Sequence, residues 1–223
     1  MTSPALALRA GSLLSLGRHV ATQLNNMFPA EGLEADVEKV AAVLPRTLDR
    51  LRPILAAVRS FDPELFNHFN ALQYATFLYL LGNEQWHANA ADTLADRLFC
   101  LNRALNSIDL FYAVGMPEVF FLSHGLSTVL GNASYGSHLV VFQNVTVGRV
   151  GDDRPLVGNN VVLYPGATVT GKAVIGHNSV VAAGTVVHGI HVPDNTVAMT
   201  RGAGLVFRPR ERDFSGLYFR AHS

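Results

Sequence analysis

A period of six runs through the second half of this chain. Val157, Leu163, Val169, Ile175, Val181 and Val187 stand six residues apart. Four residues after each come Val161, Ala167, Ala173, Ser179, Thr185 and His191, which are mostly small. An α-helix turns every 3.6 residues and cannot keep a six-residue repeat on one face. A solenoid can, because each repeat buries its apolar residue only against its neighbours. One anchor and one small residue per six gives short flat strands joined by tight turns, and three such strands close one triangular coil of a parallel β-helix. The period extends back through Val147, Val141, Tyr135 and Val129, which gives about four coils. Between Val147 and Val157 the spacing is ten, so the segment "GRVGDDRPL" (148–156) carries four extra residues and must project as a loop. Such a loop is either a tolerated insertion or a functional one, since rigid scaffolds present their functional residues on loops.

The residues before about Ser107 follow a helical pattern instead. Val37, Val40, Ala41 and Leu44 recur at helical spacing, as do Leu48, Leu51, Leu55 and Val58. Pro45 and Pro53 predict breaks in this region. "SFDPELF" predicts a helix start, with Asp62 as cap, Pro63 in the first position and Glu64 in the first turn. "NALQYATFLYLLG" is apolar on nearly all sides and predicts a buried helix ending at Gly82. A further helix is expected over 90–102. The expected organisation is α+β: a helical domain over 1–105, a β-helix over 106–200 and a short C-terminal tail over 201–223.

Composition narrows the function. Acidic and basic residues balance at 17 each, which leaves no basic excess for nucleic-acid binding. Only Lys39 and Lys172 are lysines; the arginines include a cluster at Arg201, Arg208, Arg210 and Arg212. No apolar run reaches the length of a membrane span. The start of the chain lacks the charged residue that precedes the apolar stretch of a signal peptide. The single cysteine, Cys100, lies among apolar neighbours and reads as a buried thiol with no internal disulfide. A reducing, cytoplasmic setting is expected.

The repeats together with several motifs resemble the hexapeptide-repeat acyltransferases, and within them the serine acetyltransferases. "DPELF" and "FNALQ" resemble the helical segment that precedes the repeats in that family. Asp109 and His124 are fifteen residues apart, the spacing of the family's paired aspartate and catalytic histidine. "VFQNVTVG" (141–148) resembles the coil leading into the active-site loop, and "DDRP" (152–155) the acidic-arginine segment within it. "AAGTVV" (182–187) and "VPDNTVAMT" (192–200) resemble the last coils, which flank the coenzyme A channel. The resemblance implies a left-handed β-helix that packs as a homotrimer or a dimer of trimers, with acetyl-CoA as acyl donor and no metal. It departs at two places. Ser123 stands where the family has an aspartate before its histidine, and Arg154 runs straight into Pro155 where the family has a second histidine.

Acetyl transfer from a thioester to a hydroxyl needs a base, a group that orients the base, and a donor for the oxyanion. His124 suits the first role because a neutral imidazole titrates near working pH. Asp109 suits the second by accepting from the other ring nitrogen, as in catalytic triads. Backbone N–H groups near Gly125 or in the loop supply candidates for the third. By the resemblance, Ser123, Arg154 and Asp62 are the candidate acceptor-binding residues. Gly166, Ala182, Ala183 and Gly184 are small enough to admit the pantetheine arm, and Lys172 and Arg201 are candidate phosphate contacts. L-serine is the acceptor the overall resemblance implies, and with it cysteine biosynthesis. The two departures favour a sugar hydroxyl or another small alcohol. Two further readings are a zinc hydrase and a non-catalytic binding module. For the first, His138, His177, His188 and His191 lack the spacing of the β-helical carbonic anhydrases.

Overall fold

The computed structural model describes residues 6–202, 204–211 and 215–221. Arg212 of the arginine cluster therefore lies outside the described residues. Four helices come first: α1 (Leu13–Met27), α2 (Leu33–Ala57), α3 (Ala71–Ala88) and α4 (Leu94–Asn106). A two-residue strand β1 (Ala7–Leu8) pairs in parallel with β2 (Leu65–Phe66).

Five sequence expectations for the helical half fail here. α2 runs unbroken through Pro45 and Pro53. The carbonyls these prolines cannot bond are those of Ala41 and Asp49, both on exposed residues where water can serve them. Buried Leu44, Leu48, Leu51, Ile54 and Leu55 hold the helix on its other side. "SFDPELF" is not a helix start. Asp62 accepts from the Glu64 amide at 2.9 Å in a local turn, and Leu65–Phe66 is drawn off to pair with β1. The cap of α3 is Asn70, whose side chain accepts from the amides of Leu72 and Gln73. α3 also passes Gly82, which is buried within the helix against Tyr112 and Leu98. α4 begins and ends about four residues later than expected. Its Arg97 forms a bidentate pair with buried Asp36 of α2 at 2.6 and 2.7 Å. Cys100 is half-buried rather than fully enclosed.

From Ile108 the chain winds into a left-handed parallel β-helix of about five turns. The first face stacks β4 (Phe120–Leu122), β7 (Leu139–Val141), β10 (Val162–Leu163), β13 (Val180–Val181) and β16 (Thr196–Arg201). The second stacks β3 (Ile108–Leu110), β5 (Thr128–Leu130), β8 (Thr146–Gly148), β11 (Thr168–Thr170) and β14 (Val186–His188). The third stacks β6 (Ser134–Tyr135), β9 (Leu156–Val157), β12 (Val174–Ile175) and β15 (His191–Val192). A final strand, β17 (Gly204–Pro209), returns antiparallel to β16. The extra turn relative to the sequence expectation comes from β3 and β4, which precede the regular repeat.

The six anchors from Val157 to Val187 are all 0–2% exposed, and the small residues from Val161 to Thr185 line the interior beside them. His191 is the exception and is exposed. The register slips by one residue there, so that Val192 takes the interior place above Ile175. On the third face, Gly136, Gly158 and Gly176 are stacked tightly. A Cβ on Gly176 would stand 2.5 Å from the Asp194 amide nitrogen.

The C-terminal segment folds back on the molecule. Phe219 is buried and bridges Val58 at the end of α2. The Tyr218 hydroxyl meets that of Tyr164 at 3.1 Å, and its ring lies near Phe121 and Phe142 on the first face.

Candidate active site

His124 sits on the edge between the first and second faces. Leu122 registers with Val141, and Val129 with Thr146. Residues 123–128 therefore turn this edge in the first coil, where 142–145 suffice in the next, and the first turn bulges by two residues. Within the bulge His124 has φ 52° and Ser127 φ 54°, left-handed values that histidine tolerates better than most residues. The bulge is tied internally. The Leu126 amide donates to the His124 carbonyl at 2.6 Å, and the Asn144 amide to the Leu126 carbonyl at 2.9 Å. Gly125 packs against Ile108, and a Cβ there would stand 2.7 Å from Ile108 Cδ1, so that side chain would have to shift. Ser123 is buried and its amide donates to Val141. The outcome is an exposed imidazole on a rigid bulge, beside a cavity of about 240 Å³ under α3 and α4.

Asp109 is central in β3, between buried Ile108 and Leu110, and its side chain faces outward. Its carboxylate lies 3.5 Å from Arg103 Nε, an exposed pair of small energetic weight. It registers opposite Val129, where the bulge re-enters the second face. Among the described residues no hydrogen bond joins Asp109 to His124.

Above the bulge the same edge is narrow and regular. Asn144, Gly166 and Gly184 turn it in successive coils with φ between 59° and 73°. The Gly166 amide donates to Gln143 and the Gly184 amide to Pro165, so each turn rests on the one below. Ala183 and Gly184 are exposed, Ala182 and Gly166 partly so. β16 registers Ala198 above Val181 and then runs straight on to exposed Arg201, where it pairs with β17. The proposed arm-binding residues thus form one stacked strip with His124 at its foot.

Arg154 and Lys172 lie elsewhere, on the edge between the second and third faces. The loop 148–156 is a small hairpin in which Val150 and Asp153 exchange backbone hydrogen bonds of 3.0 and 3.1 Å around Gly151. Exposed Arg154 follows it, with Nη1 3.5 Å from Asn132 Oδ1. Lys172 is exposed one coil above, next to Gly171, whose amide bonds the Gly148 carbonyl. Within one chain, then, Arg154 and His124 occupy different edges of the prism. Asp62 is exposed beside Phe61, which packs edge-on against Phe121 of β4, the strand that leads to His124.

The other repeat histidines are engaged separately. His177 Nδ1 accepts from the Asn159 amide at 3.0 Å, His188 Nδ1 meets Thr170 Oγ1 at 3.0 Å, and His138 Nδ1 meets Ser137 Oγ at 3.1 Å. No group of three potential metal ligands occurs among the described residues. Sequence reasoning missed the cavity beside His124. Its lining comes from helical residues such as Leu72 and Leu105, whose pattern marks only an apolar face.

Residues 154–189 match the family "Bacterial transferase hexapeptide (six repeats)". The serine acetyltransferase of Bacillus subtilis is 27% identical over 147 residues, covering 60% of this chain and 65% of that protein. That of Synechococcus elongatus is 34% identical over 92 residues, covering 39% of this chain and 38% of the relative. The fold agrees over nearly the whole chain. A Neisseria gonorrhoeae serine acetyltransferase solved with serine superposes with a TM-score of 0.66 at 20% identity, over 86% of this chain and 82% of that one. A serine acetyltransferase solved with CoA gives 0.66 at 24% identity, over 86% and 84%. Its repeat region matches the hexapeptide transferases, and the chain is similar to serine acetyltransferases. It spans less than two thirds of the length of these two curated relatives. The similarity reaches beyond the repeats: the solved structures share both the helical region and the β-helix.

Proposed function

We propose that the chain is an acetyl-CoA-dependent O-acetyltransferase with L-serine as its acceptor. The observation that carries this is the placement of His124 on a rigid bulge at the foot of the strip formed by Gly166, Ala182, Ala183 and Gly184. The thioester arm lies along that strip, with Arg201 as a phosphate contact and Lys172, which lies on another edge, as a contact from a neighbouring copy. The similarity to proteins solved with CoA and with serine supports both substrates.

His124 takes the hydroxyl proton as the acceptor oxygen attacks the thioester carbon. The tetrahedral intermediate collapses by breaking the C–S bond. The imidazolium then returns its proton to the departing thiolate, leaving an ester and free CoA. Asp109 orients the imidazole once it leaves Arg103, its partner at 3.5 Å. Ser123, Arg154 and Asp62 bind the acceptor. Because Arg154 and His124 occupy different edges, a complete acceptor site requires a neighbouring copy. This favours a homotrimer or a dimer of trimers, and exposed Val129, Val150, Leu156 and Val186 supply apolar contact surface for it. No described helix is long and apolar enough to cross a membrane, in keeping with a cytoplasmic role in cysteine biosynthesis.

A sugar or other small alcohol is the second reading. Ser123 favours it, being buried and uncharged where an acid would pair with an amine. The test is CoA release from acetyl-CoA with L-serine against a panel of sugars. His124→Ala is expected to lower turnover by about 10²-fold or more without loss of fold, and Asp109→Asn by less. Near-normal turnover of His124→Ala refutes the assignment. Absence of CoA release with every acceptor refutes catalysis itself and leaves a binding module.

A further inference from the structure

The cavity beside His124 is larger than an acetyl group needs and has the wrong chemistry for a charged acceptor. Its volume is about 240 Å³, against about 30 Å³ for a water-sized group. α3 contributes Ala71, Leu72 and Ala75, α4 contributes Leu105, and Ile108 and Leu126 close it from the β-helix. Besides His124, the only polar side chain that the described residues bring to its wall is Asn106, whose Nδ2 donates to Asn102 Oδ1 at 2.9 Å. Among the described residues no acidic or basic group other than the imidazole lines it, so an ammonium placed there would meet no carboxylate to offset its desolvation.

Its position identifies the occupant. The strip that carries the thioester arm descends through Gly184 and Gly166 to the bulge at His124, and the cavity opens below, between the first coil and the helices. A thioester carbon brought to His124 along that strip points its acyl chain onward into the cavity. The proposed acceptor site, by contrast, needs Arg154 from another edge, whereas this half-open cavity is lined by a single chain.

We propose that this cavity is an acyl-chain subsite and that the chain accepts donors longer than acetyl-CoA, such as butyryl-CoA. The inference rests on the proposed CoA-dependent transfer. Bonds balance as for acetyl: the C–S bond of the acyl thioester breaks, the ester C–O bond forms, and the hydroxyl proton passes through His124 to the thiolate.

Calorimetric titration of the full chain with CoA, acetyl-CoA and butyryl-CoA tests it without requiring an acceptor. Each methylene that leaves water tightens binding by about fourfold, so butyryl-CoA, with two more methylenes, is expected to bind about fifteenfold tighter than acetyl-CoA. Ala71→Phe, at an exposed position on the rim, is expected to erase that gain, and a thermal midpoint near the parent's shows that the variant has folded. Equal affinity for the two thioesters overturns the subsite while leaving CoA binding intact, as does a gain that persists in Ala71→Phe. Failure to bind CoA or either thioester overturns the transferase reading and the subsite with it.

Discussion

Replacing Arg220 by alanine removes one guanidinium that closes the end of a 25-residue helix. The last carbonyls of any helix lack intrahelical partners, and α2 has no basic residue in its own last turn. Arg220 supplies the missing cation from the far end of the chain. Its Nη1 donates to the carbonyls of Leu55 (3.3 Å), Ala56 (2.8 Å) and Val58 (2.7 Å). Its Nη2 donates to those of Arg59 (3.2 Å) and Phe61 (2.6 Å). Its own amide donates to Ala57 at 2.8 Å, a bond that alanine would keep. A charged hydrogen bond contributes about 1.5–3 kcal/mol where its groups are buried, and a cation at a helix C-terminus about 0.3–1. Two of these five bonds are exposed, so their carbonyls regain water in the variant. The expected loss is therefore about 3 kcal/mol rather than the sum. For a chain of this size that is a fall in Tm of roughly 6–12 °C. Differential scanning calorimetry of the parent, Arg220→Ala and Arg220→Lys measures it. Lysine keeps the charge but presents one small donor head in place of a planar fork, and should recover less than half of the loss. A Tm within 2 °C of the parent for Arg220→Ala, or full recovery by lysine, refutes this account of the C-terminal segment.

Other outcomes follow from contacts in the two halves. Gly176→Ala places a Cβ 2.5 Å from backbone and side-chain atoms of Asp194, so the coil must shift, at a cost of about 1–3 kcal/mol visible as a lower urea midpoint. His19 and His68 face each other with ring centroids 4.7 Å apart, and Arg9 and Tyr74 lie close to them. Burial lowers the pKa of both imidazoles, and for His68 the charges of His19 and Arg9 add to it. The unfolded chain therefore binds protons below about pH 6.5 that the folded chain refuses, and stability must fall as pH drops from 7.5 towards 5.5. Thermal midpoints across that range should show a shallower slope for His68→Phe; an unchanged slope excludes His68 as a contributor.

The β-helix was legible because its repeat is strictly local. Each anchor fills the space above the one six residues times three before it, so a periodic list of residues suffices to place a coil. The Asp109/His124 spacing was legible for a different reason, resemblance, and it pointed to a histidine now found on the edge that carries the small-residue strip. The helices were read less well. Pro45 and Pro53 break an isolated helix, but here the freed carbonyls face water and the opposite side is buried. "SFDPELF" has the letters of a helix start, but its strand residues are captured by Ala7 and Leu8, more than fifty positions away.

What the sequence determined by itself was the architecture of the second half, the projecting loop and the residues worth testing. The first two depend on neighbours within one or two coils, and the last came from resemblance. Only the tertiary structure decided the two-residue bulge under His124, the separation of Arg154 onto another edge, the cavity beneath α3 and α4, and the return of Arg220 to the end of α2. The first two are set by how neighbouring coils register, and the last two join segments far apart in the chain. Register and packing choose such partners, and no local pattern of residues encodes that choice.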